Sequence, residues 1–277
     1  MILYISHQTT YTYSEKVVPG MHYKHFHPQN RPYLKVRDFH LEVQPNPSLL
    51  SARLVPENNV YHQVWMNQEV HKLHITASAV LDVKTFNPFD FIVDINGPHS
   101  SAEYLRQNQE YFRPFIEEME LPERMQDFSR EVADNNPVSF CSNLAREIHE
   151  SWIHELRPEH GILTPVECYD RKAGSCRDLT RMAIAILRNQ GFPCRYVGGY
   201  CFVPQLEDGH ELHAWLEIYL PGSGWLGVDP SLGLLTSEHH IPVASSFEPS
   251  RTLPVQGFYH GDASSEMTAK ITISKEE

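Results

Sequence analysis

The sequence predicts an α+β fold, with an amino-terminal antiparallel β-sandwich-like domain over residues 1–95 and a mixed helix–strand domain over residues 96–277. Three observations carry this. Apolar residues recur with period two in runs ahead of residue 95, broken by Pro and Asn clusters. A helical period then takes over and is best developed after Cys176. Finally, two alternating runs flank Pro221-Gly222-Ser223-Gly224, which is strong turn chemistry.

Taken in order, strands are expected over Ile2 to Tyr13, Val36 to Val43, Val60 to Trp65 and His71 to Val83. Asn96-Gly97-Pro98 is the expected boundary. Residues 101–157 read as helices, with Leu121-Pro122-Glu123 and Asn135-Asn136-Pro137 as breaks between them. In the helix that follows, Leu179, Met182, Ala183, Ile186 and Leu187 fall at i, i+3, i+4, i+7 and i+8, which is one buried face. Ser175 suits its N-cap, Asp178 its first turn, Arg188 its last turn and Gly191 the C′ position. A strand at 194–203 comes next. Over 211–220, Leu212, Ala214, Leu216 and Ile218 share one face, and His213, Trp215, Glu217 and Tyr219 the other. Trp225 to Asp229 returns as the second strand of a hairpin, and Met267 to Ser274 reads as a final strand.

Composition narrows the classes of function. The chain has 277 residues, 41% hydrophobic and 21% charged, which is ordinary for a globular protein. A net charge of −12 disfavours nucleic acid or an anionic membrane as partner, because both need a positive field. The start, Met1 to Ser6, lacks a charged segment and is too short for a signal peptide, and no transmembrane-length apolar run follows, so a cytoplasmic location is expected. Five cysteines are an odd count and argue against a disulfide scaffold.

The chemistry lies in three short stretches: Gly174-Ser175-Cys176-Arg177-Asp178, Leu212-His213-Ala214-Trp215 and Trp225-Leu226-Gly227-Val228-Asp229-Pro230. A thiol, an imidazole and a carboxylate on rigid elements are the parts of an activated nucleophile: attacker, base, and a group that orients the base. Cys176 falls in the first turn of its helix, where unpaired N–H groups and the macrodipole favour a thiolate and can hold an oxyanion. The hairpin brings Asp229 within a few residues of His213. A one-residue slip of register would put the two on opposite faces, and the sequence leaves that register open.

These stretches, together with Gly191-Phe192-Pro193-Cys194-Arg195-Tyr196-Val197-Gly198-Gly199-Tyr200, closely resemble the bacterial transglutaminase-like family, whose members are commonly described as proteases. In that family Gln-Asp usually follows the nucleophile, whereas Arg177-Asp178 follows Cys176. Tyr11-Thr12-Tyr13-Ser14 and the span Leu41 to Trp65 resemble its amino-terminal β region, with the usual Phe-Gly-Asn element reduced to Glu57-Asn58-Asn59. His239-His240-Ile241-Pro242-Val243-Ala244 and Pro254-Val255-Gln256-Gly257 resemble its tail. The resemblance implies a papain-like, transglutaminase-core cysteine-hydrolase domain in the second half, with Cys176, His213 and Asp229 as catalytic triad and no cofactor or metal.

The expected function is hydrolysis of a peptide or protein amide through an acyl-thioester. Transfer of the acyl group to an amine shares the first half-reaction and is the alternative. A silent peptide-binding scaffold and an acyltransferase using an activated donor are rivals from other classes. An intact triad argues against the first. Against the second stands the lack of a phosphate-cradling Gly loop or basic cluster.

Other chemistry-bearing residues have plainer readings. His149 and His154 evoke a zinc-protease helix, but five residues set them about 140° apart around a helix, where two ligands need i, i+4. His22, His25 and His27 read as solvated histidines in a polar loop rather than an adventitious metal site, and His239 and His240 as loop caps rather than residues flanking the cleft. Cys194 and Cys201 read as small core residues of a strand, and Cys141 and Cys168 as inert. Trp215 and Trp225 fit a core as well as a subsite wall, Tyr200 is a candidate cleft residue, and Leu206 to Glu211 a candidate lid.

Overall fold

The computed structural model describes residues 1–91, 101–117, 119–157, 159, 161–206 and 209–276. The expected boundary at Asn96-Gly97-Pro98 lies outside them. Strands β1 (Ile2–Pro19), β2 (His22–Lys24), β3 (Leu34–Gln44), β4 (Leu49–Leu54), β5 (Val60–Trp65) and β6 (Val70–Val83) come first. Helices α1 (Ser101–Gln107), α2 (Gln109–Ile116), α3 (Glu123–Val132) and α4 (Pro137–Ser151) follow. Next, β7 (Ile153–His154), α5 (Pro165–Arg171) and β8 (Ala173–Gly174) lead into α6 (Cys176–Asn189). A central sheet is built from β9 (Cys194–Cys201), β10 (Leu212–Leu220), β11 (Gly224–Asp229), β12 (Leu234–Leu235) and β13 (His240–Ser246). The tail adds β14 (Val255–Gln256), β15 (Tyr259–His260) and β16 (Ser265–Lys275).

The amino-terminal strands form two antiparallel sheets, as the alternation predicts. One runs β15-β1-β6-β3, with β16 lying along Leu3 to Tyr13 of β1. The other runs β14-β2-β5-β4. The tail therefore hydrogen-bonds back into both. One face of β1 has two packing partners. Its Tyr13 and Val17 share a core with Phe26, Val64 and Met66 of the second sheet's side. Its Leu3 and Ile5 instead pack with Tyr200, Phe202 and Ile241 of the central sheet. Burial of these apolar faces holds the β region against the rest of the molecule.

Three expectations change here. β4 escaped sequence reading because it is an edge strand without an alternating buried face, and Leu49, Leu50 and Leu54 are all exposed. His22 and His25 are buried rather than solvated, with Nδ1 of each hydrogen-bonded to the carbonyls of Gly20 and Leu253. Tyr200 points away from the cleft, into the amino-terminal sheet, where its hydroxyl meets His7 Nδ1 at 3.0 Å.

The helices also break where Pro and Asn put them. Asn136 caps α4, its side chain accepting from the N–H groups of Val138 and Ser139. The helical reading through 157 fails at the far end, because α4 stops at Ser151. Ile153 and His154 turn into a short parallel pairing with Ala173 and Gly174. The central sheet, ordered β12-β11-β10-β9-β13, receives α6 on one face. Leu179, Met182, Ala183, Ile186 and Leu187 are each at most 1% exposed and share a core with Ala214, Leu216 and Ile218 of β10. Among the described residues no helix is long and apolar enough to cross a membrane.

Candidate active site

Cys176 is the first residue of α6, and the local chemistry explains why the helix starts there. Asp178 Oδ2 accepts from the Ser175 N–H at 2.9 Å and from the Ser175 hydroxyl at 2.6 Å. The Arg157 guanidinium and the Leu163 N–H complete the shell of this fully buried carboxylate, each at 2.8 Å. At the other end Gly191 has φ +80°, the left-handed stop that glycine adopts without strain. The helix is aligned on β10 by its apolar face and by the Thr180 hydroxyl, which donates to the Ala214 carbonyl.

The register left open by the sequence is resolved by strand pairing. Leu216 pairs with Val228, so Asp229 sits opposite Trp215 and projects from the same face as His213. His213 Nε2 lies 2.6 Å from Asp229 Oδ2. An ionised carboxylate only accepts, so Nε2 carries the hydrogen and Nδ1 is left for the thiol. His213 is also hydrogen-bonded to Cys176, as is the Ala214 N–H. Trp215, 1% exposed, stacks beside His213 with centroids 6.1 Å apart. It is seated there because Gly199 has no side chain. A Cβ at Gly199 would stand 2.8 Å from the Trp215 ring and 2.2 Å from the Ile241 carbonyl oxygen.

Two residues outside the expected set belong to this cluster. His240, a loop cap by its sequence context, instead donates through Nε2 to Asp229 Oδ2 at 3.1 Å, deep under Trp215. Only its place just ahead of the apolar run Ile241–Ala244 signalled a buried role. His154 has the spacing of a helix residue, yet the β7–β8 pairing puts it opposite Gly174 and within hydrogen-bonding reach of the Cys176 thiol. No local signal pointed there. His149 is a separate matter, its Nδ1 donating to the Ser231 carbonyl at 2.8 Å and tying α4 to the loop after Asp229.

The charges reinforce one another. Burial opposes the thiolate of Cys176, but hydrogen bonds from His154 and His213 outweigh it and bring the thiol from 9.0 down to about 7. Burial likewise opposes the imidazolium of His213, and the bonds to Asp229 and Cys176 raise it to about 10. Burial would raise Asp229, yet the two imidazoles hold its carboxyl far below the usual carboxylate range. Three further donors, the N–H groups of Ser231 and Leu232 and the Ser231 hydroxyl, saturate Oδ1. By contrast Cys141, Cys168 and Cys194 are buried with thiols pushed up to about 12 or beyond, as inert core residues should be. Cys201 departs from its expected core role, since it is partly exposed and lines the cleft.

The donor set of His213, Asp229 and His240 could in principle hold a metal ion, their ligand atoms lying within 4.8 Å of one another. The fit is poor, because the 2.6 and 3.1 Å separations are hydrogen bonds between those same atoms and leave no space at their centre. Cys176 opens onto a cleft of about 500 Å³ whose wall is mainly apolar, with Leu156, Ile162, Leu206, Leu212 and Leu232 among its lining. Leu206, His210 and Glu211 of the expected lid line it, and residues 207–208 lie outside the described ones.

Comparison with known proteins agrees with this architecture. The model of the transglutaminase-like superfamily matches residues 126–230, and that of the bacterial transglutaminase-like N-terminal region matches residues 3–82. An uncharacterized protein of Mycobacterium leprae is 27% identical over 108 residues, 37% of this chain and 38% of that protein. A protein-glutamine gamma-glutamyltransferase of Pseudomonas aeruginosa is 32% identical over 97 residues, 32% of this chain and 14% of its own length. The chain thus spans well under half the length of these two relatives. The crystal structure of a "Putative Cysteine Protease" from Cytophaga hutchinsonii superposes with TM-score 0.72 at 17% identity, covering 100% of this chain and 92% of that one, and so shares the fold. These matches place residues 126–230 in the transglutaminase-like superfamily and residues 3–82 in the bacterial transglutaminase-like N-terminal region.

Proposed function

We propose that the protein hydrolyses amide bonds of peptides or proteins through an acyl-thioester on Cys176, with His213 as base and acid and Asp229 holding His213 in position. The observation that carries this reading is the bridging imidazole: His213 is hydrogen-bonded to Asp229 through Nε2 and also to the Cys176 thiol. The Cys176 thiolate attacks the carbonyl carbon, and the C=O electron pair moves to oxygen. Collapse of that oxyanion expels the amine, which takes the proton from His213. A water then gives its proton to His213, attacks the thioester and releases the acid and the thiolate. Cys176 is only partly buried and His154 beside it is exposed, so water has access to the thioester. This favours hydrolysis over transfer to an amine.

Haloacetamide alkylation of Cys176 tests the pair. At pH 7 a thiol with pKa about 7 is about half ionised, against about 1% for one at 9.0. His213→Ala removes one of the two imidazole bonds that hold the thiol down, so it should slow alkylation at pH 7 severalfold, and loss of His154 as well should bring the full roughly fiftyfold. An ordinary thiol profile unchanged by the mutation would favour the silent scaffold. Incubation with a glutamine peptide and a labelled amine separates the two acceptors. Efficient amine incorporation with little hydrolysis would make the enzyme a transglutaminase.

A further inference from the structure

The Cys176 thiol is flanked by two imidazoles, and the proposed mechanism uses one. His213 approaches from β10, backed by Asp229 and His240. His154 approaches from β7, where it lies opposite Gly174 and within hydrogen-bonding reach of the thiol. Its backbone is fixed there by the Ile153 N–H donating to the Lys172 carbonyl at 2.9 Å and the Glu155 N–H donating to the Gly174 carbonyl at 3.0 Å. Trp152, just ahead of this strand, is anchored through its indole N–H to the Cys168 carbonyl. The side chain thus hangs from a pinned two-residue strand, lines the cleft, and remains exposed to whatever enters it. His154 makes no bond to Asp229 or to another carboxylate among the described residues, so no acceptor orients it as a base.

Resting on the reading above, we propose that His154 is the side-chain oxyanion donor of this site, working with the N–H groups at the start of α6. When the thiolate adds to the substrate carbonyl, the C–S bond forms and the π pair becomes a localised charge on oxygen. A donor beside the sulfur that is separate from the base meets that charge as it develops while leaving His213 free to protonate the leaving amine. Contact with the Cys176 thiol also keeps His154 charged to higher pH than an ordinary histidine, which strengthens the hydrogen bond.

The test separates a reaction that makes an oxyanion from one that does not. Acylation by p-nitrophenyl acetate passes through a tetrahedral oxyanion, whereas displacement of iodide from iodoacetamide does not. Limiting rates, taken on the plateau of each pH profile, remove any change in thiolate population. His154→Ala should slow the acylation burst by about 10²–10³-fold and change alkylation by less than about threefold. His154→Gln, which restores an N–H donor without a titrating group, should recover at least tenfold of the lost acylation. Equal losses in both reactions, or an acylation rate within threefold of wild type, would overturn the assignment. A burst that survives Cys176→Ala would instead remove the nucleophile reading itself.

Discussion

Replacing Asp229 by asparagine tests whether the carboxylate sets the tautomer of His213, and the hydrogen-bond shell allows the outcome to be worked out. Asp229 accepts five hydrogen bonds and donates none: Oδ2 takes His213 and His240, and Oδ1 takes the Ser231 N–H, the Ser231 hydroxyl and the Leu232 N–H. An amide keeps one acceptor. With its oxygen toward Ser231 and Leu232, its NH₂ faces both imidazoles. His213 can adapt by moving its hydrogen to Nδ1, but that N–H then points at Cys176 and can no longer receive its proton. His240 cannot adapt as easily, because its Nδ1 already accepts from the Ser237 N–H at 3.2 Å. One buried donor pair is left in conflict, at a cost of about 1–3 kcal/mol. The expected Asp229→Asn protein is folded, melts roughly 3–10 °C lower, and acylates with p-nitrophenyl acetate about 10⁴-fold more slowly. A burst rate within tenfold of wild type, with an unchanged melting temperature, would refute the orienting role.

Four other outcomes follow from contacts in and around the site. Haloacetamide alkylation should rise with pH through about 7 as the thiolate forms, while amide or ester turnover should also fall through about 10 as His213 loses its proton; a single-limbed turnover profile would contradict the pair. Because the folded His213 is raised above its unfolded value, its contribution to stability is complete below pH ~6.5 and disappears as pH climbs through about 10, which melting curves across that range would register. Asp178→Ala orphans the N–H groups of buried Ser175 and part-buried Leu163 and should cost about 3 kcal/mol, read as a lower urea midpoint with unchanged slope. Gly199→Ala drives a methyl group into the Ile241 carbonyl and the Trp215 ring, both held rigidly, so loss of soluble folded protein or of the Cys176 pH profile is expected, and a wild-type melt would contradict that packing.

Much of the architecture was legible in the chain itself. The β1, β5 and β6 strands declare themselves by alternation, and α6 by its apolar stripe, its Ser175 start and its Gly191 stop, because these signals are local. So is the identity of Cys176, His213 and Asp229 as chemically competent groups on three adjoining elements. What lay beyond the sequence is whatever depends on pairing between distant segments. Whether Asp229 faces His213 is a matter of hairpin register, and a two-fold side-chain period carries no record of it until Leu216 meets Val228. His154 reads as one more turn of helix until α4 ends at Ser151 and its strand finds Gly174. His240 reads as a loop residue until β13 joins β9 and brings it beneath Trp215. Local sequence selected the elements and the reactive residues; long-range strand pairing and core burial selected which imidazoles surround the thiol and which carboxylate holds His213.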